Sequence, residues 1–276
     1  MAVVLGLLAA LAYGASDFIG GHTTKRSNPW TVVALSQTVA MVGVLLAIPF
    51  LPGRLGVAAV LWGGLAGLGS AVGSIALYRG LATARMNVVA PLSGVMAAAV
   101  PVIVGLVTGE RPHQLALIGV VIALVAIVLV SLSPSADGAA RSSGVVEGLV
   151  AGGAFALLFI GLQRPGSHAG IWPLAVAEVV AVAVVVTATI VGGYPLRPAP
   201  KTVVGTGVAG ILAFAATLLY LLSTRHGLLS IVAVLVSLYP ALTVILAAVV
   251  LHERSTRIQL AGMLAAIAAV ALIAVG

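Results

Sequence analysis

The chain has 276 residues, of which 62% are apolar and only 7% charged, with a formal net charge of +7. A soluble domain carries about 25% charged residues because its surface faces water, so this composition excludes an ordinary soluble protein. The basic residues are scattered and form no stripe, which argues against a nucleic-acid-binding surface. The absence of cysteine excludes a disulfide framework, a thiol nucleophile and a Cys-based zinc site.

Ten apolar segments follow one another along the chain, and each is long enough to cross a hydrocarbon layer of about 30 Å. Cuts at charges and at Pro/Gly clusters place them at residues 2–21, 30–50, 56–79, 87–108, 114–133, 144–163, 171–193, 202–224, 228–251 and 258–276. The first segment has no basic region before it, so we interpret it as a membrane span and not as a cleaved signal peptide. Short connections predict one compact all-α integral membrane bundle of ten transmembrane helices.

The second half of the chain repeats the first at an offset of 142 residues. The offset superposes Tyr13 on Phe155, Trp30 on Trp172 and Tyr78 on Tyr220, and after a one-residue slip Glu110-Arg111 on Glu253-Arg254. Rare residues that recur in order indicate a duplicated unit. We predict a five-span repeat in residues 1–133, a linker in residues 134–143 and a second five-span repeat in residues 144–276.

An odd number of spans in each repeat determines how the two repeats are related. The second copy must enter the membrane from the opposite side, so we expect two inverted halves. Inverted repeats are a recurring architecture of secondary transporters, because two halves that exchange conformations supply inward-open and outward-open states.

Each half ends with a Pro-containing span, a Glu-Arg pair and a Gly-containing span. These residues are Pro101, Glu110-Arg111 and Gly119 in the first half, and Pro240, Glu253-Arg254 and Gly262 in the second. Together with Tyr13-Gly14, the pattern resembles the EamA-type repeat of the drug/metabolite transporter superfamily, and within it the bacterial amino-acid and metabolite exporters. The resemblance covers essentially the whole chain. It implies two inverted halves around a central cavity that opens alternately to each side.

Polar side chains inside the spans are the candidates for substrate contact, because they are costly in lipid and usually face the bundle interior. Ser70, Ser74 and Tyr78 are spaced to share one helical face, and Thr217 and Tyr220 are similarly placed on the eighth span. A tyrosine supplies a ring that stacks on a substrate and a hydroxyl that orients it. The alternative is an aromatic belt at the membrane surface.

Acidic side chains are the candidates for energy coupling. Glu178 lies inside the seventh segment, and its counterpart in the first half is Ser36, beside Gln37. It could couple protons or recognise an amine, or it could lie at the membrane interface. Asp17 could bind an amine within the first span, or it could pair with nearby basic residues, Lys25 and Arg26, at the membrane surface.

The complete set of predicted functional residues has three parts. The predicted substrate-binding residues are Tyr78, Ser74, Tyr220, Thr217, Gln37, Glu178 and Tyr239, the coupling candidates are Glu178 and Asp17, and the hinge or kink candidates are Pro91, Pro101 and Pro240. Proline removes a helix hydrogen bond, which is why it marks a hinge. We expect no catalytic residue, no metal site and no cofactor.

Motifs that are missing narrow the function to secondary transport. The sequence has no GxxxxGK[ST] loop to power a pump, no HExxH, and no GxSxG with a plausible His partner. Mid-span hydroxyls, one amide and one or two acids around aromatic rings suit a small zwitterion or cation. We therefore expect an exporter of amino acids, with export of drugs or other metabolites as the alternative and a membrane enzyme or channel as weaker ones.

The expected partners are a small-molecule substrate, a proton and the lipid bilayer of a bacterial inner (plasma) membrane, with no nucleic acid. A monomer is compatible with this layout. On the side that holds both termini the tally finds four basic residues, against nine on the other side. The positive-inside rule then predicts that both termini lie outside the cytoplasm.

Overall fold

The computed structural model describes residues 1–82, 86–131, 144–250 and 256–275. Within them the chain forms eleven α-helices and no β-strand. The helices are α1 Ala2–Thr24, α2 Pro29–Ala47, α3 Val57–Ala82, α4 Met86–Val107, α5 Gln114–Ser131, α6 Val145–Gln163, α7 Trp172–Val191, α8 Val203–Thr224, α9 Leu229–Val236, α10 Tyr239–Val250 and α11 Arg257–Val275. The predicted linker and the predicted Glu253-Arg254 pair lie outside the described residues.

Every predicted segment contains helix, and most of the helices are suited to lipid. Seven of them are long and apolar enough to cross a membrane. The apolar helical stretches in the fourth, fifth and ninth predicted segments are shorter within the described residues, at Ser93–Val107, Gln114–Leu129 and Leu229–Thr243. The last of these stretches runs from α9 into the start of α10. The chain is therefore an all-helical protein with several candidate spans, while the count of ten stays a prediction.

The two halves pack through equivalent pairs of helices. In the first half α3 lies against α6 and α7, which are the first two helices of the second half. In the second half α8 lies against α1 and α2, which are the first two helices of the first half. The last helices of the two halves, α5 and α11, pack on each other. Equivalent helices of the two halves thus make equivalent contacts with the other half, as expected for two halves related by a pseudo-two-fold axis.

The direction of α8 relative to α1 shows how the halves are oriented. The Ser223 hydroxyl, near the end of α8, donates to the carbonyl of Ala2 at 2.7 Å, at the start of α1. Further along, the Ser16 hydroxyl donates to the carbonyl of Ala209 at 2.9 Å. The two helices are therefore antiparallel. Since the first and third spans of one half point the same way, this direction supports inverted halves.

Equivalent loop contacts at opposite ends of the bundle support the same relation. The indole N–H of Trp172, at the start of α7, donates to the carbonyl of Gly53 in the loop after α2, at 3.2 Å. The ring of Trp30, at the start of α2, stacks on Tyr194 in the loop after α7, with centroids 5.3 Å apart. Two tryptophans that the repeat superposes thus make corresponding contacts at opposite ends.

Glycine allows the two halves to approach closely. A Cβ at Gly67 of α3 would lie 2.4 Å from the carbonyl oxygen of Ala177 in α7. A Cβ at Gly210 of α8 would lie 2.5 Å from the carbonyl oxygen of Ser36 in α2. Both distances are far below van der Waals contact, so only glycine fits at these crossings. The helices that carry Glu178 and Gln37 are held against the opposite half in this way.

The ninth predicted span is broken where proline interrupts its hydrogen bonds. Helix α9 ends at Val236 and α10 begins at Tyr239, one residue before Pro240. Proline has no N–H for the helix ladder, and its ring displaces the carbonyl four residues earlier. Helix α4, in contrast, continues without interruption through the other two hinge candidates, Pro91 and Pro101. A helix break thus occurs at one of the three predicted positions.

A glycine turn after α4 directs Glu110 towards the other half. Gly109 has φ +98, and the amides of Gly109 and Glu110 donate to the carbonyls of Leu106 and Gly105, which is the Schellman arrangement. The Glu110 carboxylate then accepts the N–H of Leu229 at 2.7 Å and the N–H of Ser230 at 3.0 Å. It satisfies two free amides at the start of α9 and its charge matches the helix dipole.

The Glu110→Ala variant tests this cap, because it removes both acceptors. The free energy of unfolding in detergent should fall by about 1.5–3 kcal/mol, the typical contribution of hydrogen bonds to a charged group. Glu110→Gln keeps one acceptor oxygen and should lose less. The control is Arg111→Ala at the exposed neighbouring position. Equal stability of all these proteins in reversible unfolding by SDS would contradict the capping role.

Candidate functional site

A narrow cavity lies inside the bundle, between helices of both halves. It encloses about 60 Å³, which is room for a few water molecules. Its polar lining consists of Ser16, Asp17, Ser36, Gln37, Ser70, Ser74, Glu178 and Thr217, and its aromatic lining of Tyr13, Tyr78, Phe155, Phe159 and Tyr239. No lysine, arginine or histidine of the described chain lines it. The cavity is therefore polar, aromatic and bare of fixed positive charge.

Six of the seven predicted substrate-binding residues line this cavity. They are Tyr78, Ser74, Thr217, Gln37, Glu178 and Tyr239. The periodic face formed by Ser70, Ser74 and Tyr78 points into the interior, as its spacing predicts. Tyr78 is only 5% exposed, so it does not belong to an aromatic belt at the membrane surface. Whether these side chains bind substrate stays a prediction.

Tyr220 lies apart from the other six. Its side chain is fully buried in the core, where its ring stacks on Phe159 with centroids 4.6 Å apart. Its hydroxyl donates to the carbonyl of Phe159 at 2.8 Å. Tyr220, predicted as a substrate-binding residue, does not line this cavity, because its ring and hydroxyl are both engaged by Phe159 of α6. Its contacts make it a structural residue that supports one aromatic wall.

One side of the cavity is a hydrogen-bonded network between α2 and α3. The Gln37 amide nitrogen donates to the hydroxyl of Ser70 at 2.9 Å and to that of Ser74 at 3.4 Å. Both N–H groups of the amide are thus used within the protein. The Gln37 carbonyl oxygen and the serine hydroxyls remain as the hydrogen-bonding groups of this side.

Glu178 of α7 and Tyr13 of α1 also line the cavity. Glu178 is 4% exposed, so the alternative of an interfacial glutamate is excluded. Its Oε2 atom and the hydroxyl of Tyr13 are both buried and have no hydrogen-bond partner among the described residues. Two buried, unpartnered polar groups of the described residues therefore belong to the lining of one cavity.

Asp17 also lines the cavity, one turn of α1 beyond Tyr13. It has no ion-pair partner within the part of the chain that the structure describes. The alternative in which Asp17 pairs with Lys25 or Arg26 at the membrane surface is therefore corrected. Both acidic coupling candidates belong to the interior site.

The sequence analysis did not predict several of the residues that line the cavity, although the repeat offered a signal for some of them. Tyr13 and Phe155 are superposed by the repeat, and both line the cavity. Treating that aligned pair as site residues would have found them. Phe159 carries no comparable signal, because one more aromatic residue in an apolar helix is typical of core packing.

A model of the EamA-like transporter family matches residues 1–132 and 142–275, one match for each half. The chain belongs to this family. It is therefore a multi-pass membrane transporter of the drug/metabolite superfamily. A solved structure described as "Crystal structure of protein" is similar to the transporter in fold, with a TM-score of 0.73 and 18% identity over 98% of this chain and 95% of that one. No curated protein matches the chain.

The transporter has no native cysteine, so single cysteines can test the cavity directly. Ser74→Cys and Thr217→Cys should react with a small hydrophilic thiol reagent, because both side chains line the cavity. Ser223→Cys is the control on the same helix as Thr217. Its side chain is fully buried outside the cavity, so it should stay unreactive. Failure of both cavity positions to react from either side of the membrane would contradict the assigned lining.

Proposed function

We propose that this transporter exports small metabolites, chiefly amino acids, across a bacterial inner membrane by alternating access. The observation that carries the proposal is the interior cavity, which takes polar and aromatic side chains from both halves. Two halves that pack through equivalent contacts can rock about such a site and expose it to each side in turn.

The chemistry of the cavity supports a small cargo with an apolar body and a polar head. The rings of Tyr78 and Tyr239 offer apolar faces, and the hydroxyls of Ser74 and Thr217 offer hydrogen bonds. The cavity of about 60 Å³ has room for only a few water molecules, so it must widen to hold a cargo molecule. Cargo therefore enters after one end of the bundle separates.

The helix break in the ninth span supports a bending point for that separation. Tyr239 follows the break and lines the cavity, and its hydroxyl lies 3.4 Å from the hydroxyl of Ser93 in α4. Bending at Ser237–Leu238 would move Tyr239 relative to α4. We assign the main hinge to Pro240 on this ground, with Pro91 and Pro101 as further flexible points in α4.

Energy would come from a proton gradient through Glu178 and Asp17, the two carboxyl groups of the cavity. Both are titratable and lie where cargo would bind, so a proton and a cargo molecule could influence each other's binding. If transport is coupled to protons, an imposed pH gradient should drive net uptake of cargo into proteoliposomes. If movement is facilitated diffusion, only a concentration gradient of the cargo should drive net uptake.

Counterflow of labelled amino acids in proteoliposomes tests the proposal. Saturable counterflow is expected for at least one amino acid. Tyr78→Ala and Glu178→Gln should each weaken the apparent affinity for that amino acid about tenfold, which corresponds to about 1.4 kcal/mol of lost binding free energy. The matched control is Tyr220→Phe, which removes a hydroxyl outside the cavity and should keep the same half-saturating concentration.

Three results would change the assignment. No saturable counterflow across a broad amino-acid panel would contradict amino acids as cargo. Saturable counterflow of apolar drugs alone would favour the drug exporter, which the aromatic walls also support. Flux that rises without saturation would favour a channel.

A further inference from the structure

Two unpartnered polar atoms belong to side chains that line this one small cavity. Glu178 Oε2 and the Tyr13 hydroxyl are buried and lack hydrogen-bond partners among the described residues. A buried ionised carboxylate is costly unless a cation and hydrogen bonds compensate it. No basic side chain of the described chain lines the cavity, so the Glu178 carboxyl is neutralised either by a proton or, when cargo is bound, by a cation on the cargo.

The aromatic rings around Tyr13 favour an ammonium group. Tyr13 lies edge-on to Phe159, with centroids 6.2 Å apart, and 6.5 Å from the ring of Tyr239. Such rings attract a cation placed over their faces, by about 0.5–2 kcal/mol. An ammonium group also brings three N–H donors, which suit the carboxylate oxygen and the phenolic oxygen together.

The rest of the cavity offers little to a carboxylate on the cargo. The amide donors of Gln37 are used by Ser70 and Ser74. Asp17 and Glu178 both add acidic groups to the lining. Serine, threonine and tyrosine hydroxyls are the donors that remain, and none of them carries a positive charge.

We propose that Glu178 and Tyr13 form an ammonium subsite, and that the cargo is recognised by its free amine while its carboxylate is dispensable. The inference rests on the proposed transport function and narrows its substrate class. Amino-acid amides and the decarboxylated amines should bind at least as well as the parent amino acid. N-acetyl amino acids, which lack the ammonium group, should bind poorly.

A competition assay tests this order of binding. The assay uses the labelled amino acid that gives the strongest saturable counterflow. Its unlabelled amide, its decarboxylated amine and its N-acetyl derivative are added in turn, and the concentration of each that halves the counterflow is measured. The amide and the amine should compete at equal or lower concentrations than the parent, and the N-acetyl derivative at a concentration about ten times higher or more. Glu178→Gln should abolish this preference. Glu147→Gln, at the start of α6 and outside the cavity, should keep it.

A binding measurement separates failure of this inference from failure of the proposed function. Thermal stabilisation of the purified transporter is compared for the amines, for amino acids and for matched alkyl carboxylates. Stabilisation by amines that Glu178→Gln removes and Glu147→Gln retains would support the subsite, even if no amino acid gave counterflow. Equal competition by N-acetyl derivatives, or equal stabilisation by amines and carboxylates, would overturn it.

Discussion

Hydrocarbon offers no hydrogen-bond partners, so a polar side chain within a span must find one inside the protein or in a water-filled path. This constraint organises the whole bundle. Apolar side chains face outwards, and hydroxyls, an amide and two carboxyl groups converge on the interior between the halves. Most of these groups bond to each other or to a backbone carbonyl. Among the described residues, Glu178 and Tyr13 are left with unpartnered atoms, so their surroundings are the most specific chemical feature of the cavity.

The fold could be predicted from sequence because its determinants are local or periodic. Apolar length identifies the spans, and rare residues such as Trp30 and Trp172 reveal the repeat. The cap that Glu110 places on α9 could not be foreseen, since the two elements are far apart in sequence and meet only after packing. Likewise Pro240 indicates a kink, but the interrupted helix depends on the hydrogen bonds of its neighbours.

In the site, too, some features follow from the sequence repeat and others depend on tertiary packing. Helical spacing correctly placed Ser74 and Tyr78 on the interior face. Tyr78 and Tyr220 are aligned by the repeat and were both predicted to bind substrate, yet the ring of Tyr220 is engaged by Phe159 in the core. A repeat preserves the position of a residue on its helix, but the neighbours decide where its side chain points. The inverted scaffold is therefore more symmetric than its cavity.

The central claim is that two inverted halves move about this cavity. Loops at the two ends can report this motion. Arg54 and His168 lie in loops that touch at one end. At the other end Trp30 stacks on Tyr194, and Arg26 and Arg197 lie within four residues of these rings in sequence. Spin-label distances across each pair, measured by pulsed EPR with and without cargo, test it most directly. Alternating access predicts that one distance lengthens as the other shortens. If neither of the two distances changed when cargo was added, alternating access would be contradicted.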